Sequence, residues 1–221
     1  MYMQFRNWAK NLLFLLVYIF SGLALVIIID GLLTGSELAP FNLALEEALV
    51  HLRTPLLTDI MIIITNLGSP FTLSVITLFI AIVIVIHKDT YDAMLYLVSM
   101  TISLLAFTIL KNAIHLPRPS GSIITLSSWS FPSGHATIAT AFFFATAYSF
   151  FDRFKSLMWK IWLVTFCTLG AGIICFSRLY LGAHYALDVL AGIALGLLSV
   201  SFTVLIFNIF LEERRPIRRK K

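Results

Sequence analysis

Three short clusters in this chain combine residues able to hold and attack a phosphoryl group. Lys111 is followed by Arg118 and Pro119, spaced K-x-x-x-x-x-x-R-P. Pro132, Ser133, Gly134 and His135 read P-S-G-H, and Ser177, Arg178, His184 and Asp188 are spaced S-R-x-x-x-x-x-H-x-x-x-D. A phosphoryl group in transfer spreads negative charge over its oxygens, so catalysis consists mainly of positioning and charge stabilisation. Lys111, Arg118 and Arg178 supply three positive charges, and arginine can grip phosphate in a bidentate fork. Ser133 opens an apolar run and is placed to cap a helix. The free amides of Gly134 and His135 would then point at an anion, aided by the helix dipole. Gly134 also permits close backbone approach.

His184 and Asp188 are four residues apart. If both lie on one helix they share a face. Asp188 then accepts the proton of one ring nitrogen and leaves the other nucleophilic. His135, from a different connection, is the natural general acid for the departing oxygen. The expected course is a covalent phosphohistidine, released by water with His135 acting as base. Ser177 has a softer role, either a hydrogen bond within the site or the end of a helix. His115 falls inside the first cluster without matching a motif position, and His51 and His87 read as interfacial polar residues.

The elements that must position these residues are membrane spans. The chain is 59% apolar and 12% charged, with a mean hydropathy of +0.94, whereas soluble domains are roughly a quarter charged. A span needs roughly 20 apolar residues. Runs lie near 12–29, 69–87, 92–110, 135–151, 160–176 and 186–210. Leu56–Leu67 precedes the second run and is broken from it by Gly68, Ser69 and Pro70, so the two read as one broken or tilted crossing. The expected fold is an all-α, six-span membrane bundle forming a single domain over 1–221, with its catalytic region at 111–188.

Charge supports that count. With both termini cytoplasmic, the inner segments hold Arg6, Lys10, Lys88, Arg153, Lys155, Lys160 and the six cations from Arg214 to Lys221. The outer side keeps Arg53, Lys111, Arg118 and Arg178, and three of those belong to the clusters. This is positive-inside bias once the cluster residues are given a task. Two crossings separate the connection bearing Lys111, Arg118 and His135 from the one bearing Ser177 to Asp188. Both therefore meet at the outer membrane–water boundary.

Other features have blander readings. Arg6 and Lys10 before an apolar run suggest a signal peptide, but the run exceeds the roughly 7–15 residues of a signal core and is read as a retained span. The net charge of +5 is concentrated in the tail 212–221, which reads as an anchor to anionic headgroups rather than a nucleic-acid arm. Trp8, Trp129, Trp159 and Trp162 fall at span ends, as interface belts require. Cys167 and Cys175, eight apart in one span, are about 12 Å apart if helical, too far for a disulfide. After Pro40, the residues Phe41, Leu45, Leu49 and Leu52 on one side, with Glu46 and Glu47 elsewhere, suggest an amphipathic helix. It reads as resting at the interface, with a lid over the site as the alternative.

The three clusters resemble the signature motifs of the type 2 phosphatidic acid phosphatase family, within a superfamily that includes vanadium haloperoxidases and glucose-6-phosphatase. All three match without substitution, in order, over residues 111–188. The resemblance implies His184 as nucleophile, Asp188 as its orienting partner and His135 as acid. It implies a phosphate pocket of Lys111, Arg118, Ser133, Gly134 and Arg178. It also implies a hydrolase without metal or other cofactor, the three cations taking the place of a Mg²⁺ clamp. Compact six-span members suggest bacterial enzymes acting on phosphatidate, phosphatidylglycerophosphate or undecaprenyl pyrophosphate. The narrow preference is undecaprenyl pyrophosphate or a phospholipid monoester. Two other readings remain: a lipid phosphotransferase on the same scaffold, and a non-catalytic membrane transporter or scaffold, against which stands the lack of mid-span charge. Oligomeric state is not readable.

Overall fold

The structure is a computed structural model that describes residues 2–34 and 38–211. The basic tail 212–221, and the anchoring expected of it, lie outside the described residues, as do the side chains of Arg6 and Phe41. The described residues form eight helices and no strand. These are α1 (Tyr2–Thr34), α2 (Leu38–Val50), α3 (Pro55–Leu67), α4 (Pro70–Ile86), α5 (Thr90–Ala113), α6 (Gly134–Phe151), α7 (Leu157–Tyr180) and α8 (Ala186–Leu211).

Local chemistry explains several starts. Thr54 and Ser69 accept backbone bonds from Leu57 and Thr72, with Pro55 and Pro70 in the first helical position. A hydroxyl cap followed by proline satisfies orphan amides and presets the backbone angle. Between α3 and α4 the axis bends by 48°. At that bend Gly68 lies so close to α7 that a Cβ would come 2.6 Å from Ile174.

Four helices are long and apolar enough to cross a membrane: α1 from Trp8, α5, α7 and α8. The bent α3–α4 pair adds a fifth crossing if it counts as one. The expectation of six spans is therefore met only in part. Helix α6 covers the expected 135–151 run in 18 residues but is not among the helices long and apolar enough to cross. Its position explains why: Ala136, Ile138, Ala139, Ala141 and Ala145 are fully buried against neighbouring helices. A helix sheathed by protein needs small residues more than greasy ones.

Small residues also let α8 approach α6. A Cβ on Gly192 would sit 2.7 Å from the Ser133 carbonyl oxygen, and one on Gly196 would sit 2.6 Å from that of Thr137. This pair, spaced G-x-x-x-G, brings the backbones together where side chains would hold them apart. The contact joins the start of α6 to the first half of α8 and so sets the geometry of the site. Ion pairs tie the opposite end of the bundle: Lys10 with Asp152, and Arg153 with Asp89 and Asp92. Trp8, Trp129, Trp159 and Trp162 are all exposed.

The amphipathic segment after Pro40 is a helix, α2, but its inner face differs from expectation. Leu49 is buried, while Leu52 lies beyond the helix end and is exposed. Asn42 is buried on the same side, and its Oδ1 accepts the Leu187 amide at 3.1 Å. α2 is thereby tied to the first turn of α8.

Candidate active site

The end of α5, the start of α6, the end of α7 and the start of α8 meet at one end of the bundle. Lys111 is in the last turn of α5 and Arg178 in the last turn of α7. Gly134 and His135 open α6, whose cap is Ser133: its Oγ accepts the Ala136 amide at 3.4 Å. Asp188 lies in the first turn of α8. His184 is not on that helix, which begins at Ala186. The expected shared helical face is thus replaced by a turn closing onto the helix. Asp188 Oδ2 accepts the Tyr185 amide at 2.9 Å, as acidic residues do in the first turn of a helix. His184 Nδ1 lies 3.5 Å from the same oxygen, within ion-pair range but long for a hydrogen bond.

Asp188 also joins the second cluster to the third. Its backbone carbonyl accepts the Ser133 amide at 3.0 Å, and its carboxylate accepts the hydroxyl of Ser130. Arg118 performs a similar join across the site. Its Nε donates to the Ser128 carbonyl at 2.7 Å, its Nη2 to that of Trp129 at 3.1 Å, and its Nη1 to that of Ala183 at 2.6 Å. The same Nη1 lies 3.3 Å from His184 Nε2. A guanidinium has only donors, so Nε2 is assigned as the acceptor nitrogen and the ring proton sits on Nδ1, toward Asp188.

Electrostatically the site is short of negative charge. Lys111 donates to the Trp129 carbonyl at 2.6 Å. Arg178 is 2% exposed; its Nη1 donates to Thr65 Oγ1 at 2.6 Å, and its Nε has no partner. Among the described residues, no carboxylate pairs with Lys111, Arg118 or Arg178. A buried charge without a counter-ion is costly, and an anion bound here would offset that cost. The imidazole of His184 titrates low, at about 4. Burial is the main cause; Asp188 opposes it, and Arg118 and Arg178 add to it. Burial also holds the Arg118 guanidinium below its ordinary value, with Asp188 opposing.

The structure therefore brings together Lys111, Arg118, Ser133, Gly134, His135, Arg178, His184 and Asp188. His135 is half-buried, within electrostatic reach of Arg178, His184 and Arg118. Ser177 does not join them: its hydroxyl donates to the Ile174 carbonyl of its own helix at 2.6 Å. His115 is exposed and rests against Trp129, with ring centroids 4.9 Å apart. Ser130, Thr65 and Asn42 belong to the site's support and carry no motif spacing that would have singled them out.

Arg53, a cation outside the motifs, ties the end of α7 to the α5–α6 connection. It donates to the carbonyls of Tyr180 and Gly121, both at 3.0 Å. Beside it Gly182 has φ +65°, and a Cβ there would meet Arg53 Nη2 and the Gly121 carbonyl at 2.8 Å, so only glycine fits this left-handed turn. A recess of about 250 Å³ beside the site is lined by Leu116 to Arg118 and Leu126 to Trp129. A wider cavity of about 760 Å³ lies toward the other end, between α1, α6, α7 and α8, away from the histidines.

A sequence profile of the PAP2 superfamily matches residues 92–211. Phosphatidylglycerophosphatase B of Bacillus subtilis is 33% identical over 162 residues, covering 70% of this chain and 77% of that protein. The undecaprenyl-diphosphatase of Sulfolobus acidocaldarius is 22% identical over 223 residues, covering 98% of this chain and 96% of that protein. The fold is similar to the crystal structure of a transmembrane PAP2-type phosphatidylglycerolphosphate phosphatase from Bacillus subtilis. The TM-score is 0.74 at 28% identity, over 93% of this chain and 98% of that one.

Proposed function

This chain belongs to the PAP2 superfamily, and on that premise we propose that it cleaves phosphate from a membrane lipid through a phosphohistidine at His184. It is a multi-pass membrane phosphatase. The observation that carries the mechanism is the His184 imidazole held between the Asp188 carboxylate and Arg118, beside the buried Arg178.

Lys111, Arg118 and Arg178, with Ser133 and the amide of Gly134, take the phosphate oxygens. His184 Nε2 attacks phosphorus, and the bond from phosphorus to the lipid oxygen breaks. His135 gives that oxygen its proton. A phosphate anion bound beside His135 favours the imidazolium form that can donate. Water then enters, His135 takes its proton, and the phosphorus–nitrogen bond breaks to release inorganic phosphate. Asp188 holds the Nδ1 proton and stabilises the charge that develops on His184. The three cations serve where other phosphatases place metal ions, and no metal enters this scheme.

The substrate is a lipid phosphomonoester or pyrophosphate: phosphatidate, phosphatidylglycerophosphate or undecaprenyl pyrophosphate. Each keeps its phosphate at the interface and its tail in hydrocarbon. Two of the relatives act, by their names, on a phosphatidylglycerophosphate and an undecaprenyl diphosphate. In the bilayer, α3 and α4 form one broken crossing and α6 the sixth, within a single domain. Both termini then face the cytoplasm of the cell membrane, the site faces outward, and the tail 212–221 rests on anionic headgroups.

Phosphate release from these three lipids by detergent-purified protein, with and without EDTA and beside His184→Ala, tests the reading. Release that survives EDTA and is lost in the folded variant is expected. Full activity in His184→Ala would overturn the mechanism, and labelled phosphate appearing in a lipid acceptor would replace hydrolysis with transfer.

A further inference from the structure

We propose that Ser130 is a positioning residue for the His184–Asp188 pair. It holds the carboxylate through a hydroxyl that reaches across from the α5–α6 connection. This rests on the histidine mechanism above and adds a residue outside its motifs.

Ser130 is completely buried and fixed on several sides. Its amide donates to the Leu116 carbonyl at 2.9 Å, and its own carbonyl lies 3.5 Å from Lys111 Nζ. Its hydroxyl donates to Asp188 Oδ2, the oxygen that also takes the Tyr185 amide and faces His184 Nδ1. A carboxylate in the first turn of a helix can swing among rotamers. Two donors on the same oxygen remove that freedom, one from its own turn and one from another connection. Ser130 is also only a short segment before His135. The connection that carries the clamp on the orienting carboxylate therefore leads directly into the helix that carries the proposed acid.

The hydroxyl has an electrostatic effect as well. A carboxylate held beside a ring nitrogen favours the protonated imidazole. The groups facing His184 are Asp188 from α8, Arg118 from the α5–α6 connection, Arg178 from α7 and His135 from α6. Of these only Asp188 favours imidazolium. With the Ser130 hydroxyl gone, the carboxylate swings free of Nδ1, that support weakens, and His184 titrates at a lower pH.

The test pairs kinetics with an NMR titration of the His184 imidazole in the free full-length protein, assigned by its absence in His184→Ala. Ser130→Ala is expected to lower kcat roughly 10- to 100-fold, the scale of a misplaced catalytic group. KM should stay within about twofold, because the loss falls on the transition state. The His184 titration should move down from about 4. Ser130→Cys, similar in size and a weak donor, should fall between wild type and Ser130→Ala in both readouts, and serves if the alanine variant does not fold. An unmoved or raised titration, or a loss confined to KM, would overturn the positioning role. The titration needs no substrate, so the two readings fail separately. An active His184→Ala variant refutes the phosphohistidine, while an unmoved titration beside an inactive His184→Ala refutes only the role of Ser130.

Discussion

Arg118 Nη1 lies 3.3 Å from His184 Nε2 while donating to the Ala183 carbonyl. The cation thus points at the lone pair that would attack phosphorus. Its other nitrogens hold Ser128 and Trp129. Arg118 consequently has two tasks, fixing the His184 tautomer and holding two connections at their working separation. A lysine can bring charge but not a planar fork. Arg118→Lys and Arg118→Ala are both expected to reduce kcat/KM, by roughly 100-fold or more, the scale for losing one transition-state donor. Steady-state phosphate release checks this, and near-wild-type activity in Arg118→Lys would show that charge alone suffices.

His135 and His184 are separable by leaving group. In the proposed scheme His135 protonates the lipid oxygen, a step an aryl phosphate with a stable phenolate does not need. His135→Ala is expected to lose roughly 10²- to 10⁴-fold on a lipid phosphate, the range for general acid–base catalysis. The first step on the aryl phosphate should be largely spared. Hydrolysis of the phosphoenzyme still lacks its base, so labelled phosphate should accumulate on the protein. Equal losses on both substrates with no trapped label would assign His135 another role.

The pH dependence follows from the burial of His184. Its imidazole titrates at about 4, so it is neutral and able to attack above that value. Asp188 favours the protonated form, and Asp188→Asn removes that charge. The His184 titration is therefore expected to move still lower while activity falls for want of orientation. NMR on the free protein reads this without interference from the second ionisation of the substrate phosphate, near pH 6. A titration near the ordinary histidine value of about 6.5 in the wild type would contradict the buried, cation-flanked setting.

Much of this site was legible because phosphoryl chemistry demands particular residue types, and Lys111, Arg118, His135, Arg178, His184 and Asp188 announce themselves by type and spacing. The break at Gly68–Pro70 was equally visible, since glycine and proline interrupt an apolar run. Where packing decides, legibility failed. His184 was expected on a helix because four-residue spacing fits one, yet the turn at Gly182 and the Tyr185–Asp188 bond start α8 two residues later. Helix α6 follows the apolar run 135–151, yet it is not among the helices long and apolar enough to cross, because neighbouring helices bury its small residues. Ser130 and Asn42 are ordinary polar residues whose importance lies only in what another segment places opposite them. Leu52 was assigned to the inner face of α2 by period, but the helix ends first.

Two glycines on α8 make a prediction about stability. A Cβ on Gly192 or Gly196 would sit 2.7 or 2.6 Å from a carbonyl oxygen of α6, and backbone cannot yield as a side chain end can. Gly196→Ala is expected to destabilise the protein by about 1–3 kcal/mol, the cost of overpacking, read as a lower Tm in detergent. Gly172, whose Cβ would meet nothing within 4 Å, is the control: Gly172→Ala should leave Tm nearly unchanged. Equal responses at both positions would show that α6 and α8 do not set the packing.

The bond from Leu187 to Asn42 favours a resting helix over a lid. A lid must open, whereas α2 supplies an acceptor to an orphan amide in the first turn of α8, one residue before Asp188. Losing such a cap costs about 0.5–2 kcal/mol, and here the freed turn carries the orienting carboxylate. Asn42→Ala is expected to lower both Tm and kcat. Asn42→Asp, which keeps the acceptor and adds a charge favourable at a helix start, should restore them. If α2 were instead a lid, Asn42→Ala would ease opening, leaving Tm unchanged and raising kcat wherever product release limits turnover. The two accounts therefore differ in the sign of the change in kcat, which one variant and its aspartate partner measure directly.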